Sequence, residues 1–258
     1  MIGCVFFPNG ALAEAGQQGE PYEVSEVSEK RTKNSDTYLL SDGSYECVVY
    51  SDDKYYTDED GVFALIDNSI VDRPISIDGE QYAYANAANS SHYYFSGTSP
   101  KTVVDSGKEH ISFAMLTEGP SVAVIGGNKD LPVLSDHSLC GDNFIMYPGV
   151  CRDTDVVYSA RNGMLKEYIV LNGSDAPNAF CFEIGINSLE LSESKDGTLS
   201  FLNAEGEPVF ELADLFAVDA AGEYTDRVEY SVEESADGSI ILRSEERRVG
   251  KECRSRWS

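Results

Sequence analysis

Three histidines (His92, His110, His137), six cysteines and the acidic run Asp58-Glu59-Asp60-Gly61 are the residues whose types could ligate a metal or move a proton. Zinc sites use His and Cys ligands at short, recurrent spacings, often with a second pair further along the chain. The histidines are too scattered for that, and each reads as a surface or edge-strand residue. Asp58 to Gly61 has the composition of a piece of a calcium loop. It lacks the alternating ligands and the distal bidentate Glu such a loop needs, so it reads as a hairpin turn. None of the motifs GxSxG, HExxH, GxxxxGK[ST] or helix-opening GxGxxG occurs. Asp and Glu total 45, so a glycosidase-type carboxylate pair can be picked anywhere, and no pair stands out. The 15 tyrosines can stack on sugars, but in strands they more often fill a half-buried sheet face. The expectation is a chain that is not an enzyme, with no catalytic residue, cofactor or metal ligand.

Setting aside Cys4 and Cys253 near the termini leaves Cys47, Cys140, Cys151 and Cys181. Four cysteines allow three pairings, which sequence does not resolve. Cys140 and Cys151 flank a short loop containing Gly141, Pro148 and Gly149, and they form the candidate disulfide. The competing expectation is four free, buried thiols.

Net charge is −26 over 258 residues. A surface so acidic repels phosphate backbones and anionic headgroups, so nucleic acid is not expected as a partner. No apolar run reaches the 18 residues of a membrane-spanning helix, so membrane insertion of the mature domain is not expected either. At the N-terminus, Ile2 to Phe7 is apolar and Ala13-Glu14-Ala15 has the small-x-small form of a cleavage site. Residues 1–15 therefore read as a signal peptide truncated at its charged end, with a lipidated Cys4 as the lesser alternative, and the protein reads as secreted. The last sixteen residues, Arg243 to Ser258, carry six Lys/Arg against three Asp/Glu, whereas the preceding 242 carry 13 against 42. RSEERRVGKECRSRWS matches the translation of a sequencing-library adapter beginning AGATCGGAAGAGC. The segment 243–258 is thus expected to be non-native, with no place in the core, and the chain to be a piece of a longer one.

Those residues must be positioned by strands. Short runs rich in Tyr, Val, Ile, Phe and Thr are punctuated by Asp42-Gly43, Asp60-Gly61, Asp78-Gly79, Asp196-Gly197 and Asp237-Gly238. Asp-Gly between apolar runs signals a hairpin, because both residues tolerate positive φ. The pattern predicts an all-β protein: an antiparallel meander folded into a β-sandwich, with a supersandwich as a variant, behind an extended N-terminal leader. Expected divisions are 16–70 for leader and first hairpins and 71–242 for the sandwich. Gly16 to Ser35 reads as flexible or extended, the Ala/Asn/Ser-rich stretch Ala83 to Ser91 as a loop, and Glu211 to Val218 as briefly helical or irregular.

Three patches carry a family resemblance. They are Arg31-Thr32-Lys33-Asn34-Ser35-Asp36-Thr37-Tyr38 with Asp42-Gly43, then Tyr56-Thr57-Asp58-Glu59-Asp60-Gly61-Val62-Phe63 running on to Asn68-Ser69-Ile70. The third is Tyr147-Pro148-Gly149-Val150 with Asp153 to Tyr158 and Asn162 to Leu171. In order and spacing, over most of residues 28–242, the chain resembles the N-terminal region of secreted, wall-associated RHS/YD-repeat proteins of Gram-positive bacteria. Phe63 stands where that pattern has Trp and Met164 where it has Leu. The resemblance implies a non-catalytic extracellular module serving export, anchoring or shell assembly in contact-dependent competition or adhesion. It implies downstream repeats of the same chain as partners, with cell-wall glycan as a candidate ligand. The alternative reading is a carbohydrate-binding or mutarotase-like sandwich of a glycoside-processing enzyme.

Overall fold

The computed structural model describes residues 3–7, 20–126, 141–195, 197–219, 221–234 and 239–246. The chain divides into two units, residues 1–67 with 88–90 and residues 68–87 with 91–258.

The first unit contains β1 (Gly3–Phe7), β2 (Glu23–Glu26), β3 (Ser35–Leu40), β4 (Tyr45–Val49), β5 (Tyr55–Thr57) and β6 (Phe63–Leu65). Four of these form an antiparallel sheet in the order β1-β4-β3-β2, and β5 pairs with β6. The apolar run near the N-terminus thus lies in a strand along β4. The leader is more ordered than its polar composition predicts. Glu23–Glu26 joins the edge of β3, and the Val27 amide donates to the Thr37 carbonyl at 2.8 Å. Main-chain pairing at a sheet edge makes little demand on side-chain type, so weak hydrophobic periodicity does not prevent it.

The second unit begins with β7 (Asp67–Ile77), β8 (Glu80–Ala88), β9 (His92–Phe95), β10 (Lys101–Asp105), β11 (His110–Met115) and β12 (Val124–Ile125). It continues with β13 (Phe144–Cys151), β14 (Thr154–Arg161), β15 (Met164–Leu171), β16 (Ala179–Gly185), β17 (Glu190–Glu193) and β18 (Leu199–Leu202). The last strands are β19 (Pro208–Glu211), β20 (Ala217–Val218), β21 (Tyr224–Thr225), β22 (Val228–Glu234) and β23 (Ile240–Glu246). An eight-stranded sheet runs β22-β23-β16-β11-β10-β9-β8-β7, a four-stranded sheet runs β12-β13-β14-β15, and β17-β18-β19 form a third. One core joins them. Tyr93, Phe95, Ile111, Phe182, Ile184 and Leu242 come from the large sheet, Ile145, Tyr147, Val156 and Tyr158 from the second, and Leu199 and Phe201 from the third. This is the all-β antiparallel sandwich expected, with alternate residues of each strand facing inward.

Asp78-Gly79 shows why the turn signal works. Both residues have positive φ, 52° and 84°, the conformation a two-residue hairpin needs to match strand twist. Ala83 to Ser91 departs from expectation, because most of it belongs to β8 rather than a loop. Ala85 and Asn86 are wholly buried. Asn86 accepts from the Tyr93 amide at 2.9 Å and donates to the Ser91 carbonyl at 3.0 Å. Ala85 packs with Tyr82, Tyr94 and Val103 of the same sheet, and this tertiary context outweighs the low strand propensity of small residues. The stretch Glu211 to Val218 is irregular between β19 and β20, with no helical turn.

Strand β23 runs past Leu242. Arg243, Ser244 and Glu245 pair with Cys181, Phe180 and Ala179 on one side and with Ser231, Tyr230 and Glu229 on the other. Ser244 is buried. The expected boundary at 243 therefore falls inside a strand; residues 247–258 lie outside the described set. Truncation after Leu242 is expected to cost about 1–3 kcal/mol, the worth of a few main-chain hydrogen bonds. Urea unfolding of the truncated chain checks this, and an unchanged midpoint would return these residues to the status of a passive tail.

Candidate functional site

Unit one holds a buried carboxylate. Asp36 on β3 is 1% exposed. It accepts hydrogen bonds from Tyr55 Oη at 2.7 Å, Tyr50 Oη at 2.9 Å and Lys54 Nζ at 2.5 Å, and Arg31 Nε lies 3.8 Å away. The Arg31 guanidinium stacks over the Tyr55 ring at 4.4 Å and pairs with Glu26. Burial by itself pushes the Asp36 carboxyl up, but the Lys54, Tyr55 and Tyr50 hydrogen bonds and the Lys54 charge outweigh it and hold the group below its ordinary value. Asp36 in turn raises Lys54. With its acceptor positions filled by protein donors, this cluster ties β3 to the segment 50–55. Arg31 and Asp36 belong to the first patch of family resemblance, whereas Tyr50, Lys54 and Tyr55 lie outside it.

In the second unit, His110 Nε2 lies 2.7 Å from Asp78 Oδ2 and 3.3 Å from Asn187 Nδ2. The Asp78-Gly79 turn brings the carboxylate to the start of β11. His92 lies elsewhere, on β9 with its ring near Tyr94, and His137 is outside the described residues. The two described histidines are not brought together. Asp58 Oδ1 accepts from the Asp60 and Val62 amides at 3.0 and 2.8 Å, which makes Asp58 to Gly61 a turn closed by its own carboxylate. Among the described residues no group of three or more His, Cys, Asp and Glu is placed to hold a metal. Cys140 lies outside the described residues, and Cys151 is a free, half-buried thiol pushed up by burial.

A further cluster had no sequence signal. On the face of the four-stranded sheet that also carries the buried Phe144, Val157 and Val170, Lys166 and Tyr168 project from β15 and Arg161 from the end of β14. Arg161 Nη2 donates to Tyr168 Oη at 2.6 Å, and Lys166 Nζ lies 4.6 Å from the Tyr168 ring centroid. The same ammonium lies 5.6 Å from the ring of Phe216, which stacks on Tyr224 at 5.5 Å with 26° between planes. Phe216 is 48% exposed and Tyr224 66%. The small hairpin β20–β21 presents the pair. Its turn is closed by Asp219 Oδ1, which accepts from the Ala221 and Glu223 amides at 2.9 and 2.8 Å. Residues about fifty apart build this patch, so no local motif announces it.

No family model matches the chain, and no solved structure matches it. Curated relatives do. The tRNA3(Ser)-specific nuclease WapA of Bacillus spizizenii is 26% identical over 226 residues, covering 84% of this chain and 9% of that protein. The tRNA nuclease WapA of Bacillus subtilis is 25% identical over 228 residues with the same coverages, as is the tRNA(Glu)-specific nuclease WapA of Bacillus subtilis subsp. natto. The chain therefore spans about a tenth of the length of these relatives.

These names correct three expectations. The similarity is to WapA tRNA nucleases, and this replaces the looser resemblance to the front of RHS/YD-repeat proteins in general. The expectation that the chain is not an enzyme does not stand, because the relatives are named as nucleases. Nor does the exclusion of nucleic acid, because their named substrate is tRNA. The physical reason is the same in each case. Short motifs and net charge report only on the residues at hand, whereas an activity belongs to the whole protein, and a total charge of −26 does not forbid a local cationic patch. No helix among the described residues is long and apolar enough to cross a membrane.

Proposed function

We propose that this chain is a β-built part of a wall-associated nuclease whose substrate is tRNA. The observation carrying this reading is the similarity to WapA tRNA nucleases over 84% of the chain. The antiparallel sandwich, with its apolar face closed into one core, supports it as a rigid element of a larger exported protein. Electrostatics supports a division of labour: −26 over this chain keeps it soluble and repels bulk polyanion, so tRNA is held where cations are concentrated. The test is to incubate the intact protein with total tRNA and resolve the products on a denaturing gel. Discrete cleavage products are expected. Intact tRNA after incubation with folded, intact protein would overturn the reading.

A further inference from the structure

We propose that the β20–β21 hairpin docks an extended, Lys- or Arg-bearing polypeptide segment, with a cationic side chain settling on the open face of the Tyr224 ring. This goes beyond the nuclease reading and does not depend on it. Val218 and Tyr224 are cross-strand partners and Phe216 stacks on Tyr224, so the three form one apolar patch. Val218 is 56% exposed, Tyr224 66% and Phe216 48%. Phe216 covers one face of the Tyr224 ring, which leaves the opposite face open. From Glu211 to Asp226 the chain has five carboxylates and no Lys, Arg or His; Arg227 is the next cation along it. Asp219 closes the turn. Glu211, Asp214, Glu223 and Asp226 are exposed, and among the described residues none of these four is paired with a cation. Ring faces and carboxylates attract the same sign of charge, so an aromatic patch bordered by free carboxylates selects a cation. Phe216 already has such a neighbour in Lys166 Nζ, 5.6 Å from its centroid. The hairpin also points to a polypeptide as the source of the cation. It is a sheet of two strands, so each strand has an outer edge along which an extended segment adds by main-chain hydrogen bonds, with alternate side chains facing the rings. The turn held by Asp219 fixes the rings before binding, which lowers the ordering cost.

Fluorescence anisotropy of a labelled short peptide of alternating Lys and Thr, titrated with the whole 258-residue chain, tests this. Tyr224→Ala and Tyr224→Leu are each expected to weaken binding by about two- to fivefold, the size of an exposed cation–π contact. Tyr224→Phe is expected to keep it. Glu223→Gln combined with Asp226→Asn is expected to weaken binding by about fivefold at low salt, the loss of two exposed ion pairs. Glu190→Gln combined with Glu193→Gln removes the same charge from exposed positions on β17 and is expected to leave the affinity unchanged. Unchanged thermal unfolding of the variants shows that each effect is local. Equal losses from the two carboxylate pairs would mean diffuse attraction to an acidic chain and would overturn the proposal. So would an affinity indifferent to Tyr224→Ala, no peptide binding by the unaltered chain, or equal affinity for a peptide with Gln in place of Lys or for a single-stranded oligoribonucleotide. Free lysine amide binding as tightly as the peptide would overturn the claim of an extended segment.

Discussion

Asp36→Ala is expected to unfold the first unit or leave it only marginally stable, at a cost of about 3 kcal/mol. That is the scale of removing one partner of a buried ion pair and orphaning buried donors. Tyr55 is 5% exposed and Asp36 1%, so the Tyr55 hydroxyl loses its acceptor where water does not readily replace it. Lys54, less deeply placed, recovers part of its solvation, which keeps the cost below that of a fully buried pair. Asp36→Asn keeps an acceptor and is expected to cost less. The pH dependence has a definite sign. The folded-state pKa of Asp36 is depressed, so its contribution is fully present above the ordinary carboxylate pKa and is lost as pH falls through the lower, folded value. Chemical denaturation of the unaltered chain and of Asp36→Ala across the acidic range checks this. The gap between them is expected to be constant near neutrality and to close on acidification.

Tyr147→Ala should be the most damaging single change in the second unit, at about 3–5 kcal/mol, as for other large aromatic-to-alanine truncations in a packed core. The ring is wholly buried, packs edge-on to Tyr158 at 6.0 Å, and its hydroxyl donates to the Ser96 carbonyl at 2.6 Å. Tyr147→Phe keeps the packing and removes the donor. It is expected to cost about 1–2 kcal/mol, the price of an unmet buried carbonyl. Burial pushes the Tyr147 hydroxyl up strongly, so it stays a donor through the alkaline range in which exposed tyrosines ionise. Equilibrium urea unfolding followed by near-ultraviolet circular dichroism separates the two variants. Equal losses for Phe and Ala would show that the hydrogen bond, rather than the packing, dominates at this site.

What the sequence made legible follows from the range of each signal. Asp78-Gly79 is a local statement about φ, and the chain obeys it. The runs Val156 to Ser159 and Leu165 to Leu171 read as strands, and they lie within β14 and β15, which pair in register. Ala83 to Ser91 misled because small residues are poor strand formers alone, whereas here Ala85 is covered by Tyr82, Tyr94 and Val103 of its own sheet. The Asp36 cluster was present in the sequence only as a patch of family resemblance; its chemistry needs Tyr50, Lys54 and Tyr55 folded back across β3. The Phe216, Tyr224 and Lys166 patch was invisible, since its members belong to separate hairpins and only packing of β20–β21 beside β15 unites them. Net charge misled for a different reason: it describes this chain alone, whereas tRNA is the named substrate of proteins of which the chain spans 9%.

The most direct measurement of the central claim links this chain physically to tRNA cleavage. Antibody raised against residues 20–242 is used to deplete the wall and medium fractions of cells that make the intact protein, and the remaining tRNA-cleaving activity is assayed. The expected result is that the chain is detected in those fractions and that depletion removes the activity with it. Activity that survives complete removal of the chain, or a chain confined to the cytoplasm, would contradict the account.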